Sequence, residues 1–226
     1  MTLRIETFPD RDSLMQAAAE RLADALRAGI SARGHAVAAL SGGSTPAPAY
    51  ERLALIEFDW SKTTFALVDE RLVAPGDPAS NEGLLRTSLA PALAAGAALA
   101  PMYAPGPLAD AASRADALYA PLAIDIALMG MGLDGHTASW FAAADGLQDA
   151  LASSRTVVAV RAHGAAGAAA RLTLTRAAVA RAGCVVLLIT GADKRSRLDQ
   201  ALRTGDAPVA ALFDGQGAPP EVLYAD

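Results

Sequence analysis

Short apolar runs alternate with alanine-rich segments of helical length along the whole chain, and this alternation restricts the fold more than any other feature. Ala36–Leu40, Phe65–Val68, Ile124–Met129, Val157–Val160 and Val185–Thr190 read as buried strands, and Leu3–Phe8 as an edge strand. Helices are expected over Asp10–Ala28 (stopping before Gly29), Pro46–Ile56, Asn81–Leu89, Leu108–Ala120, Arg176–Ala182 and Ala192–Arg203. Strand and helix in alternation imply an α/β fold with a mostly parallel sheet sandwiched between helices. No linker marks a boundary. Ala90–Pro107 is short, and His163–Ala170 reads as a mobile loop, so residues 1–226 are expected to form one domain.

Composition narrows the partners. The chain is 53% hydrophobic but only 5% aromatic, so its core must be built from Ala, Leu and Val. A net charge of −5 and the lack of a long basic run argue against nucleic acid, yet leave room for a local cationic pocket. No apolar run reaches the roughly 18 residues of a membrane span, and Met1–Glu6 lacks a signal-peptide core. A cytoplasmic protein without a membrane partner is expected, as a monomer or small homo-oligomer. The single cysteine, Cys184, begins an apolar run and is expected to be a buried, unreactive thiol. His35, His136 and His163 share no metal-ligand spacing, so neither metal nor cofactor is expected. His35 and His163 read as structural.

Four motifs follow strand ends. Ser41-Gly42-Gly43-Ser44-Thr45-Pro46 is a strand–glycine–helix junction whose free amides favour an anion. It lacks the Lys-Ser/Thr ending of a nucleotide loop. Asp69-Glu70-Arg71 reads by default as a solvated loop, or else as the source of a carboxylate and a guanidinium, with Ser80 or Asn81 as the cap of the next helix. Gly130–Ser139 carries Asp134 and His136 in a glycine turn, with Thr137-Ala-Ser as the expected opening of a short helix. Such a pair can activate water, because imidazole exchanges protons near neutral pH. Thr190–Lys194 puts a lysine in the first turn of a helix, where the dipole disfavours it unless an anion binds there. Arg171 adds a further candidate cation. In open α/β sheets ligands bind outside the carboxyl ends of the strands, so the four motifs are expected to converge on one site.

Together Gly-Gly-Ser-Thr-Pro (42–46), Asp-Glu-Arg (69–71) with Ser80-Asn81, the 130–139 block, Arg-x-Thr-x-Thr (171–175) and Thr-Gly-x-x-Lys (190–194) resemble the 6-phosphogluconolactonase family, in order over most of the chain. The 42–46 loop is shared with the related glucosamine-6-phosphate deaminases and isomerases. The resemblance implies a modified doubly wound α/β fold and hydrolysis of a phosphorylated sugar lactone. His136 would be the general base and Asp134 its orienting carboxylate. Gly42, Gly43, Ser44, Thr45, Asp69, Arg71, Arg171 and Lys194 would bind substrate and phosphate. The chain departs from the family pattern at Trp140, Ala142 and Glu82, expected at the rim of the site. The deaminases carry a Glu five residues after this His, where the chain has Phe141. A deaminase-like enzyme and a non-catalytic sugar-phosphate-binding protein are the alternative readings.

Overall fold

The computed structural model describes residues 4–226, so Leu3 of the expected first strand lies outside the described residues. The chain runs β1 (Arg4–Thr7), α1 (Arg11–Arg33), β2 (Ala36–Leu40), α2 (Ala47–Ala54), β3 (Thr63–Leu67), β4 (Asp69–Arg71), α3 (Asn81–Ser88), α4 (Ala90–Ala94) and β5 (Ala98–Leu99). It continues through α5 (Leu108–Tyr119), β6 (Ile126–Gly130), α6 (Leu147–Ala152), β7 (Val157–Arg161), β8 (Ala170–Leu174), α7 (Arg176–Ala180), β9 (Cys184–Thr190), α8 (Ala192–Thr204) and β10 (Glu221–Ala225).

Seven strands form a parallel sheet in the order β1-β10-β9-β6-β2-β3-β5. Every residue of β2 is buried, as expected for a strand covered on both faces. Helices flank the sheet, and α1 packs on β2, β10 and α2. From β2 the chain steps to β3 on one side, and it later returns to β6 on the other. The boundary between β2 and β6 is therefore a topological switch point, where the loops leaving two adjacent strands part and open a crevice.

A second sheet was not legible in the sequence. β4, β8 and β7 pair antiparallel, Asp69 opposite Thr173 and Val157 opposite Leu174. The default reading of Asp69–Arg71 as a solvated loop is thereby corrected, for Asp69 and Glu70 are buried in a strand. Glu70 is accommodated there by hydrogen bonding. Its carboxylate accepts from the backbone N–H groups of Arg71 (2.7 Å), Asn81 (2.8 Å) and Glu82 (2.7 Å) and from the Ser80 hydroxyl (3.0 Å). Burial still pushes the Glu70 carboxyl above the usual range, against the pull of those donors. Ser80 is the N-cap of α3, accepting from Gly83 N–H at 3.1 Å.

Two further expectations change. Helix α1 passes through Gly29 and ends at Gly34, a left-handed cap with φ 77°. Gly29 marks a close approach, because a Cβ there would overlap the Asp125 carboxylate, which also accepts from Val37 N–H at 2.8 Å. Thr137-Ala-Ser opens no helix: Ala138 has φ 47°, and Thr137 and Trp140 pair across a tight turn. That turn is fastened by the Ser139 hydroxyl donating to Asp69 (2.5 Å) and the Trp140 indole N–H donating to the Leu174 carbonyl (2.8 Å).

Candidate active site

The loops after β2, β3, β6 and β9, four strands adjacent in the sheet, meet at one cleft of about 240 Å³. Gly42, Gly43, Thr45, Asp69, Arg71, His136, Arg171 and Lys194 all line it, with Asn81 and Gly132 among the others. Ser44 is exposed, and neither it nor Asp134 is among the lining residues; Asp134 reaches the cleft only through its contact with His136. Of the family departures, Trp140 is fully buried and Glu82 is 2% exposed and ion-paired with Arg86. Both are interior residues, not part of the rim. Ala142 is exposed.

Glycines make room for the reactive pair and for the cradle. A Cβ on Gly132 would overlap the His136 ring, and one on Gly42 would overlap the Asn81 amide. Gly43, at φ 95°, turns the loop through a conformation that costs glycine little. Asn81, part of the Ser-Asn motif and a candidate helix cap, donates from its amide to Asp69 at the carbonyl (2.9 Å) and the carboxylate (3.2 Å). No sequence signal links positions 69 and 81 beyond the Ser-Asn pair that opens α3.

His136 Nδ1 lies 2.5 Å from Asp134 Oδ1, which also accepts from the His136 backbone N–H at 3.1 Å. Burial raises the Asp134 carboxyl, but these two His136 contacts outweigh it and hold Asp134 below the usual carboxylate range. With Nδ1–H given to an ionised Asp134, the neutral ring keeps its lone pair on Nε2. Nε2 has no hydrogen-bond partner among the described residues. The other two histidines are exposed, with His35 on Thr64 (2.9 Å) and His163 on Asp145 (2.8 Å).

Three cations, Arg71, Arg171 and Lys194, line the same cleft as His136, against one lining carboxylate, Asp69. Arg171 is 3% exposed, and its guanidinium donates to the carbonyls of Ala168 (3.0 Å) and Ala166 (2.5 Å) and stands 4.0 Å from Asp69. Burial lowers its pKa, as does the neighbouring Arg71, while Asp69 opposes both. Arg71 donates to the Ala79 carbonyl (2.6 Å), and its buried Nε, like the buried Ser41 hydroxyl in the cleft, has no partner among the described residues. Half-buried Lys194 stands in the first turn of α8, its ammonium pKa lowered by burial and then by Arg11. Outside the cleft, Cys184 is half-buried, short of the full burial expected, and its thiol is pushed up by that burial and by Glu221.

An anion-seeking cleft at the switch point of a parallel sheet, with a carboxylate-oriented imidazole at its mouth, defines a doubly wound α/β protein built to hold a small anionic ligand. The model of the family described as glucosamine-6-phosphate isomerases/6-phosphogluconolactonase matches residues 9–219, and the chain belongs to that family. It is 42% identical over 225 residues to a 6-phosphogluconolactonase of Mesorhizobium japonicum, covering 96% of this chain and 93% of the relative. It is 39% identical to that of Caulobacter vibrioides over 99% of this chain and 98% of the relative. Among solved structures, the 6-phosphogluconolactonase of Shewanella baltica superposes with a TM-score of 0.91 at 29% identity, covering 100% and 98% of the two chains.

Proposed function

We propose that the chain hydrolyses 6-phospho-D-glucono-1,5-lactone to 6-phospho-D-gluconate as a single α/β domain in the cytoplasm. The observation that carries this reading is the Asp134–His136 pair at 2.5 Å in the wall of a cleft lined by Lys194, Arg71 and Arg171. The relatives named above support the choice of substrate.

A lactone carbonyl carbon is already electrophilic, so activation of water is the chief task. Nε2 of His136 takes a proton from water as its oxygen bonds to the carbonyl carbon. The tetrahedral intermediate then collapses, the bond from that carbon to the ring oxygen breaks, and the imidazolium returns the proton to the departing oxygen. Asp134 holds the tautomer and stabilises the transient imidazolium. Lys194, Arg71, Arg171 and the amides of the 42–45 loop bind the 6-phosphate, and backbone amides of the glycine turns receive the oxyanion. Asp69, held by Ser139 and Asn81, accepts from sugar hydroxyls.

Family membership alone does not separate lactonase from deaminase. Phe141 does favour one of them, since ring opening of an amino sugar needs proton transfer and a phenyl ring supplies none. The test is hydrolysis of freshly made 6-phosphogluconolactone, corrected for its spontaneous rate, beside ammonia release from glucosamine 6-phosphate. Lactone turnover without ammonia is expected. Ammonia release that is lost in His136→Ala would overturn the lactonase reading.

A further inference from the structure

Phe141 does more than lack a proton. Its ring stacks on His136 with centroids 4.0 Å apart and planes inclined by 24°, and the Arg171 guanidinium stands over the same ring at 5.1 Å. The position of Phe141 is dictated by the residues before it. Ser139 is tied to Asp69 and Trp140 to the Leu174 carbonyl, and Ala138 takes a left-handed φ of 47° in the turn that brings the chain back over the histidine. A non-glycine residue in that region persists only where its surroundings compel it.

His136 needs such a contact. Among the described residues its one side-chain hydrogen bond is to Asp134, whose side chain is 60% exposed, so water competes for it. A single in-plane bond also leaves the ring free to swing about the Nδ1–Oδ1 line, which would carry Nε2 off target. Gly132 bounds the ring where a Cβ would overlap it, and Phe141 covers a face.

We propose that Phe141 is a positioning residue: its stacked ring, carried by the Ser139–Trp140 anchor and bearing Arg171, sets the plane of His136 so that Nε2 addresses the water that attacks the lactone carbonyl. This rests on the reading of His136 as the base. Aromatic stacking of this kind adds to ordinary burial and has a preferred geometry, unlike aliphatic packing.

The test compares Phe141→Leu, which keeps an apolar side chain without a π face, with Phe141→Tyr, which keeps the ring. Phe141→Leu should lower kcat by about 10- to 100-fold, the scale of a small misplacement of a catalytic group, with KM within a few-fold. The Cε1–H resonance of His136, identified by its loss in His136→Ala, should move downfield as the ring current disappears. Phe141→Tyr should restore both. If the Leu variant fails to fold, Phe141→Met, close to Phe in volume, serves the same comparison. Wild-type kcat with an unmoved resonance in either folded variant overturns the proposal. So does a Tyr variant as impaired as Leu. Full turnover in His136→Ala would instead remove the base assignment beneath it, while the resonance shift would still register the stack.

Discussion

In the proposed mechanism His136 serves chemistry and Lys194 binding, so their variants should fail differently. His136→Ala is expected to lower kcat by about 10²–10⁴, the usual worth of a general base, with KM nearly unchanged. Near-full turnover would refute its role. Lys194→Ala should act mainly on KM, by about 10- to 100-fold, since a hydrogen bond to a charged group contributes roughly 1.5–3 kcal/mol. Lys194 also has a stability signature. Its folded pKa is lowered by burial and by Arg11, so the folded state binds its proton less readily than the unfolded chain does. The charged form therefore costs stability at neutral pH, and that cost is relieved as pH rises through the folded pKa. Lys194→Met should melt no lower than wild type, and inorganic phosphate should raise the Tm of wild type more than that of the variant. Equal phosphate shifts in thermal melts would place the anion elsewhere.

Among the elements, β4 and α3 are joined by one side chain. Glu70 satisfies three backbone N–H groups and the Ser80 hydroxyl, so it closes the start of α3 and fixes the strand that carries Asp69 and Arg71. Glu70→Ala should cost about 3 kcal/mol or more in urea unfolding, because each buried donor left alone costs about 1–3 kcal/mol. Glu70→Gln should recover only part of this, since its NH₂ would face donors where an oxygen now accepts. A Gln variant as stable as wild type would show that only one carboxylate oxygen matters. Of the parallel strands, β1, β2, β3, β6 and β9 were legible within a few residues because their apolar runs are strong, whereas β5, two residues long, and β10 were not read. β4 was not: three charged residues signal solvent until the antiparallel partner β8 and the capped helix are known.

At the scale of the molecule, a chain of net charge −5 gathers three cations around one anion-sized cleft, so attraction to the substrate is local and should weaken as salt screens it. Among the described residues no group of three or more His, Cys, Asp or Glu side chains is arranged to hold a metal ion. A chelator is accordingly expected to leave lactone turnover unchanged, and loss restored by a divalent cation would contradict the water-and-imidazole mechanism. No helix among the described residues is long and apolar enough to cross a membrane.

What the sequence determined by itself was local: which runs must be buried, where glycines release the backbone, and which titratable side chains follow each strand. Those depend on residue type and spacing, so His136, Asp134, Lys194 and the 42–45 loop stood out as strand-end candidates from the chain alone. Tertiary structure decided what depends on distant partners. The order of β9, β6, β2 and β3 made four separate loops one cleft, and pairing with β8 buried Asp69 and Glu70. Asn81 reached Asp69, and Trp140 turned inward to the Leu174 carbonyl. Gly29 became a point of helix–carboxylate contact, because whether a glycine ends a helix or admits a neighbour depends on what lies across from it.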